Sequence, residues 1–96
     1  MPYFIGEYVY DKGPEKRDAA RMAHRDYLRT LFDQRKVLLS GPLADESQGY
    51  VVYYADNLDE ATELLKNDPY NLQDGATCKG PREWTILLRA DYLPAG

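Results

Sequence analysis

The chain has one cysteine, Cys78, and one histidine, His24, among 96 residues. A single cysteine excludes an internal disulfide framework and any zinc site built on several thiolates. Cys78 lies in a polar stretch near Lys79 and Arg82 and reads as an ordinary free thiol. One histidine with scattered carboxylates supplies no metal-ligand spacing, and no glycine-rich phosphate loop is present. Neither a metal nor a cofactor is implied. Basic charge is also scarce. Twelve Lys and Arg against 16 Asp and Glu leave a formal charge of −4, whereas nucleic-acid binding rests on clustered cations that neutralise phosphates. No run approaches the roughly 20 apolar residues of a membrane span. Met1–Tyr10 also lacks the basic and apolar regions of a signal peptide. The expectation is a cytoplasmic protein with no nucleic-acid or membrane partner. The length leaves no room for a second lobe, so residues 1–96 are read as a single domain.

What is present is ordinary globular composition, 44% apolar and 29% charged, with an excess of tyrosine: nine, against two Phe and one Trp. Each tyrosine joins an apolar ring to a hydroxyl that needs a partner when buried, which suits an interface or a pocket for an oxygenated aromatic ligand. The order of elements follows from periodicity. Tyr3–Tyr10 is aromatic and β-branched, and the turn Asp11–Pro14 ends it. From Glu15 to about Arg35, Ala20, Ala23, Tyr27, Leu28 and Leu31 recur at helical spacing, while Arg25, Asp26, Arg29 and Asp33 fall elsewhere on the wheel. Val37–Leu39 is a short strand ended by Ser40, Gly41 and Pro42, and Gln48–Ala55 is a third strand. Asp56 or Asn57 caps a second helix with Leu58, Ala61, Leu64 and Leu65 as its stripe, and Asn67, Asp68 and Pro69 close it. The apolar run Glu83–Ala90 is read as strand four.

The order βαββαβ predicts an α+β fold, the ferredoxin-like plait, with a four-stranded antiparallel sheet and two helices on one face. Tyr50, Val52 and Tyr54 make the other face apolar, and a second copy is the economical cover. A homodimer through the sheet face is expected, with the tail Asp91–Gly96 hanging free or capping it.

His24 sits at the edge of the apolar stripe of the first helix. Imidazole is the side chain whose ordinary pKa lies nearest neutrality, so His24 is either a satisfied core residue or an acid or base. Arg17 and Arg21 rise on the same side, as either a solvated strip or an anchor for an anionic or oxygen-rich ligand. Asp68 at the end of the second helix faces the negative pole of the helix dipole and wants an offset. The topology lets it reach His24 or the arginines, and a carboxylate so placed holds an imidazole in one tautomer. Ser40 and Gly41 form a turn after strand two, or a place where a ligand meets a hydroxyl and open backbone. No GxSxG context makes Ser40 a nucleophile.

Several pieces together resemble the YCII-related family. They are Tyr3-Phe4-Ile5, Glu15-Lys16-Arg17, Arg21, His24, Leu28, Ser40-Gly41-Pro42, Leu58-Asp59-Glu60-Ala61 and Asn67-Asp68-Pro69-Tyr70. The resemblance implies a dimeric α/β barrel and a His and Asp active site, carried here by His24 and Asp68. It also implies an activity class, dehydrochlorination of a chlorinated hydroxyhydroquinone. Two departures stand out. Charged Gln34-Arg35-Lys36 replaces a glycine usual before strand two, and Asn71–Gly75 replaces an apolar, glycine-containing loop. The expected function is cofactor-independent proton transfer on a small hydroxylated aromatic or quinol substrate, with His24 as acid or base, Asp68 as its orienter and Arg17, Arg21, Ser40 and Gly41 holding the substrate. The alternatives are a non-catalytic dimeric ligand-binding module, or a lactone or enol isomerase on the same scaffold.

Overall fold

A computed structural model describes residues 1–96. Strands β1 (Tyr3–Val9), β2 (Val37–Pro42), β3 (Gln48–Tyr54) and β4 (Thr77–Trp84) form one open antiparallel sheet in the order β2-β3-β1-β4. Helices α1 (Pro14–Asp33) and α2 (Leu58–Lys66) follow β1 and β3, and a short helix α3 (Pro69–Leu72) precedes β4. This is the ferredoxin-like plait. The sheet does not close into a barrel.

Alternation along the strands divides the sheet into two faces. Phe4, Tyr8, Val51 and Tyr53 point toward the helices and join Ala20, Leu31, Val37, Ala61, Leu65 and Tyr70 in one buried core. Pro14 opens α1, where its missing N–H loses nothing and its fixed φ suits the helix. The Asn57 side chain accepts from the Glu60 N–H and caps α2. Arg35, just before β2, takes φ 62. That left-handed conformation is the one a glycine adopts without strain.

Three expectations need correction. Strand four is Thr77–Trp84 rather than Glu83–Ala90. The backbone N–H of Gly75 returns to the Tyr70 carbonyl and closes the turn after α3, so Thr77 comes into register with Val9. Gly80 and Pro81 are tolerated because β4 is an edge strand and the ladder shifts register where they lie opposite β1. Cys78 therefore belongs to a strand and is half-buried, not placed in a polar loop. Second, Ser40, Gly41 and Pro42 are not a turn but the second half of β2, paired with Val51, Tyr50 and Gly49. Third, the tail Asp91–Gly96 does not hang free. The Tyr3 hydroxyl donates to the Pro94 carbonyl at 2.7 Å and the Tyr54 hydroxyl to the Ala95 carbonyl at 2.7 Å, pinning residues 85–96 across the outer sheet face. Ile86, Leu88 and Leu93 line a groove of about 220 Å³ there with Tyr3, Val52 and Trp84.

Candidate active site

Asn67 caps the C-terminal end of α2, and Asp68 is the N-cap of α3, where its side chain accepts from the Tyr70 N–H at 2.9 Å. Asp68 thus occupies a favourable capping position rather than facing the negative pole of α2. The same oxygen, Oδ1, lies 2.7 Å from His24 Nδ1 across the helix layer, and Oδ2 accepts from the Tyr8 hydroxyl at 2.6 Å. The carboxylate is 0% exposed. Such burial is sustained because three donors surround it.

Against an ionised carboxylate, which only accepts, Nδ1 is the donor, and an imidazole in that tautomer has its lone pair on Nε2. The ring is held on both sides. Tyr70 stacks on it at 3.7 Å between centroids with a 10° interplanar angle, and Tyr8 meets it edge-on at 5.1 Å. Gly75 makes the stack possible, because a Cβ there would come within 2.9 Å of both Tyr70 Cδ1 and Ala20 Cβ. Tyr8 is a site residue that the sequence did not single out, and Tyr70 stood out only as the end of the Asn67–Tyr70 piece, with no role assigned. The chain's nine tyrosines hid the two that touch the pair, although the alternation Phe4, Gly6, Tyr8 already put Tyr8 on an inward face.

His24 borders a cleft of about 670 Å³ between α1 and β2, floored by Tyr8 and Tyr70. Arg17, Arg21, Ser40 and Gly41 line the same cleft, whereas Asp68 stands behind His24, out of the cleft's wall. Arg17 lies over the Tyr10 ring, 4.5 Å from its centroid. Tyr10 in turn packs on Gly49, where a Cβ would collide with its hydroxyl. Arg21 pairs with Asp18 at 2.6 Å. The neighbouring Tyr70 hydroxyl, aided by Asp18, raises the guanidinium above its ordinary pKa. The Ser40 hydroxyl donates to the Tyr50 carbonyl at 2.9 Å, and space opens where a Gly41 side chain would be. Arg25 and Arg29, read from the wheel as lying elsewhere, also line this wall.

Burial and the Asp68 charge together hold nearby acids in their neutral forms. Burial, then Tyr53 and Asp68, push the Tyr8 hydroxyl well above its ordinary value. Burial followed by Asp68 raises Tyr53 as well, and pushes Tyr27 and Cys78 to about 12 each. In the unfolded chain these groups ionise near 10 for tyrosine and 9 for cysteine. Above those values the unfolded state binds fewer protons than the native state, so stability falls as pH rises. The melting temperature is expected to hold up to about pH 9 and then to drop steeply toward about pH 12. A flat profile across that window in thermal melts would contradict the buried, protonated cluster.

No group of three or more His, Cys, Asp or Glu side chains is placed to hold a metal ion. No helix is long and apolar enough to cross a membrane.

The model of the YCII-related domain matches residues 1–80. No curated protein matches the chain. Among solved structures, the fold is similar to that of 5-chloro-2-hydroxyhydroquinone dehydrochlorinase from Burkholderia phenoliruptrix AC1100, solved in complex with 2,5-dihydroxybenzoquinone. The TM-score is 0.61 at 20% identity, over 85% of this chain and 93% of that one.

Proposed function

From a chain that belongs to the YCII-related family, with its one histidine paired to a buried carboxylate beside an arginine-lined cleft, we propose a cofactor-independent proton-transfer enzyme. Its substrate is a small hydroxylated aromatic or quinol. The most concrete form of the reaction is elimination of HCl from a chlorinated hydroxyhydroquinone. The observation that carries this reading is the 2.7 Å contact between His24 Nδ1 and Asp68 Oδ1, which leaves Nε2 uncommitted on a residue that lines the cleft. A tightly packed histidine with no cavity would have favoured a binding module; a cleft of about 670 Å³ favours chemistry.

In this reading Nε2 takes a phenolic proton and returns one to the ring carbon that bears chlorine. Chloride then leaves with the electron pair of the C–Cl bond as a second O–H proton is lost, and the ring becomes a hydroxyquinone. The net loss is HCl, with no external oxidant. Arg17 and Arg21 stabilise the phenolate oxygen as charge develops on it. Ser40 and the open backbone at Gly41 form the opposite wall. The test is chloride release, with the ring followed spectroscopically, on mixing the protein with a chlorinated hydroxyhydroquinone. Release faster than the spontaneous rate and proportional to protein supports the reading. Consumption of an enol or lactone without chloride release would indicate the isomerase instead.

We also propose that the protein acts as a dimer. The pinned tail covers Tyr3 and Val52, but Leu87 and Leu88 remain 88% and 94% exposed and Trp84 47%. Those apolar groups join the outer sheet face into a surface that a second copy would cover. Sedimentation at micromolar concentration is expected to give twice 11.0 kDa. A monodisperse monomer would overturn it.

A further inference from the structure

Four arginines, Arg17, Arg21, Arg25 and Arg29, stand at every fourth residue along α1, and all four line the cleft. Residues four apart form one ridge on a helix, turning slowly about its axis, so the row brackets His24, with Arg17 and Arg21 before it and Arg25 and Arg29 beyond it toward the C-terminal end of α1. Carboxylates do not answer this charge. Asp18 pairs with Arg21, but Arg17, Arg25 and Arg29 have no carboxylate within ion-pair distance, and Glu46 is the one acidic residue in the lining. This occurs in a chain whose net charge is −4. Both ends of the row rest on rings: Arg17 over Tyr10 at 4.5 Å and Arg29 over Phe32 at 5.7 Å. A guanidinium held over an aromatic face by cation–π attraction still has N–H donors to offer an anion. Arg29 and Phe32 are both exposed, and Phe32 is 49% so, leaving this end open to a ligand.

Building on the proposed hydroxylated-ring site, we propose that Arg25 and Arg29 form a distal anion subsite that selects rings carrying a carboxylate side arm. The axial rise from His24 to Arg29 is roughly 7 Å at 1.5 Å per residue. That reach matches a ring held beside His24 with a two- or three-carbon acidic arm pointing along α1. Leu28, which lines the cleft between His24 and Arg29, gives the arm's methylenes an apolar contact.

The test is calorimetric binding at about physiological ionic strength, where diffuse attraction is largely screened. It uses three probes: a catechol with a propionate arm, the same catechol with an ethyl group, and phenylpropionate without ring hydroxyls. The propionate catechol is expected to bind about tenfold more tightly than the ethyl compound, the scale of one charge-assisted contact. In the double variant Arg25→Gln, Arg29→Gln the ratio should fall to near one. In Arg35→Gln, Lys66→Gln, which removes the same charge outside the cleft, it should persist. Equal affinity for acid and ethyl compounds, persistence of the preference in the first variant, or binding of none of the probes would overturn the subsite. Arginine-dependent binding of both acids without binding of the ethyl catechol would sustain the subsite while removing the hydroxylated-ring reading. The two proposals therefore fail separately.

Discussion

Replacing His24 with asparagine is expected to lower chloride release by about 10²- to 10⁴-fold, the usual weight of a general acid or base, with the fold intact. Asparagine is smaller than imidazole and leaves Asp68 its two other donors, the Tyr8 hydroxyl and the Tyr70 N–H. The loss should therefore appear in kcat far more than in melting temperature. Asp68→Asn should reduce turnover by less, because an amide in place of Oδ1 or Oδ2 weakens the hold on the tautomer without removing the base. The two losses should not add, since the residues act as one unit. Free imidazole in the buffer should restore part of the activity of a smaller variant, His24→Gly, a rescue that a structural role would not show. Full activity in His24→Asn would end the proton-transfer assignment.

The largest expected effect on stability is at the partner residue. Asp68→Ala removes a wholly buried carboxylate and strands His24 Nδ1, the Tyr8 hydroxyl and the Tyr70 N–H in the interior. Breaking one side of such a network costs about 3–5 kcal/mol. For a domain of this length the total is only about 5–14 kcal/mol. A fall of roughly 15–25 °C in melting temperature follows. Tyr8→Phe takes away one donor and should cost about 1 kcal/mol. Tyr53→Phe gives the contrast: its hydroxyl is buried with no partner, so its removal should be neutral or slightly stabilising. Differential scanning calorimetry on the set decides. An Asp68→Ala protein melting within a few degrees of the parent would mean that the network carries little of the fold.

These effects centre on a pair that the sequence made visible and on surroundings that it did not. The period of α1 was legible because the helix buries one face and exposes the other, as the buried Ala20, His24 and Leu31 show, and β1 and β3 were legible as aromatic and β-branched runs, buried on both faces at Tyr3 and Phe4 and at Val51, Val52 and Tyr53. His24 stood out by being alone, and Asp68 by its place at the end of the second helix. The reason for Asp68's position was different from that expected, since a four-residue helix too short for any period intervenes and takes Asp68 as its cap. Strand four was misplaced because Glu83–Ala90 is the more strand-like string, while Thr77–Trp84 contains Gly80 and Pro81. What decided was pairing: β1 needed a partner on its free edge, and the turn at Gly75 delivered Thr77 there first. The apolar residues left over went to the outer face. Arg25 and Arg29 were missed for a related reason, since a wheel records direction around one helix and not the wall that β2 raises opposite it.

Asp68 Oδ1 receives both the α3 backbone and the imidazole. A change that displaces one displaces the other, so this corner has almost no freedom to be retuned. The far wall is under no such constraint: Gly41 faces open space, and Arg25 and Arg29 engage no carboxylate. Anyone wishing to give the scaffold a new substrate should therefore randomise β2 from Ser40 to Pro42 and the outer ridge of α1. In the proposed reading, the reactive corner and the selective wall are separate engineering modules.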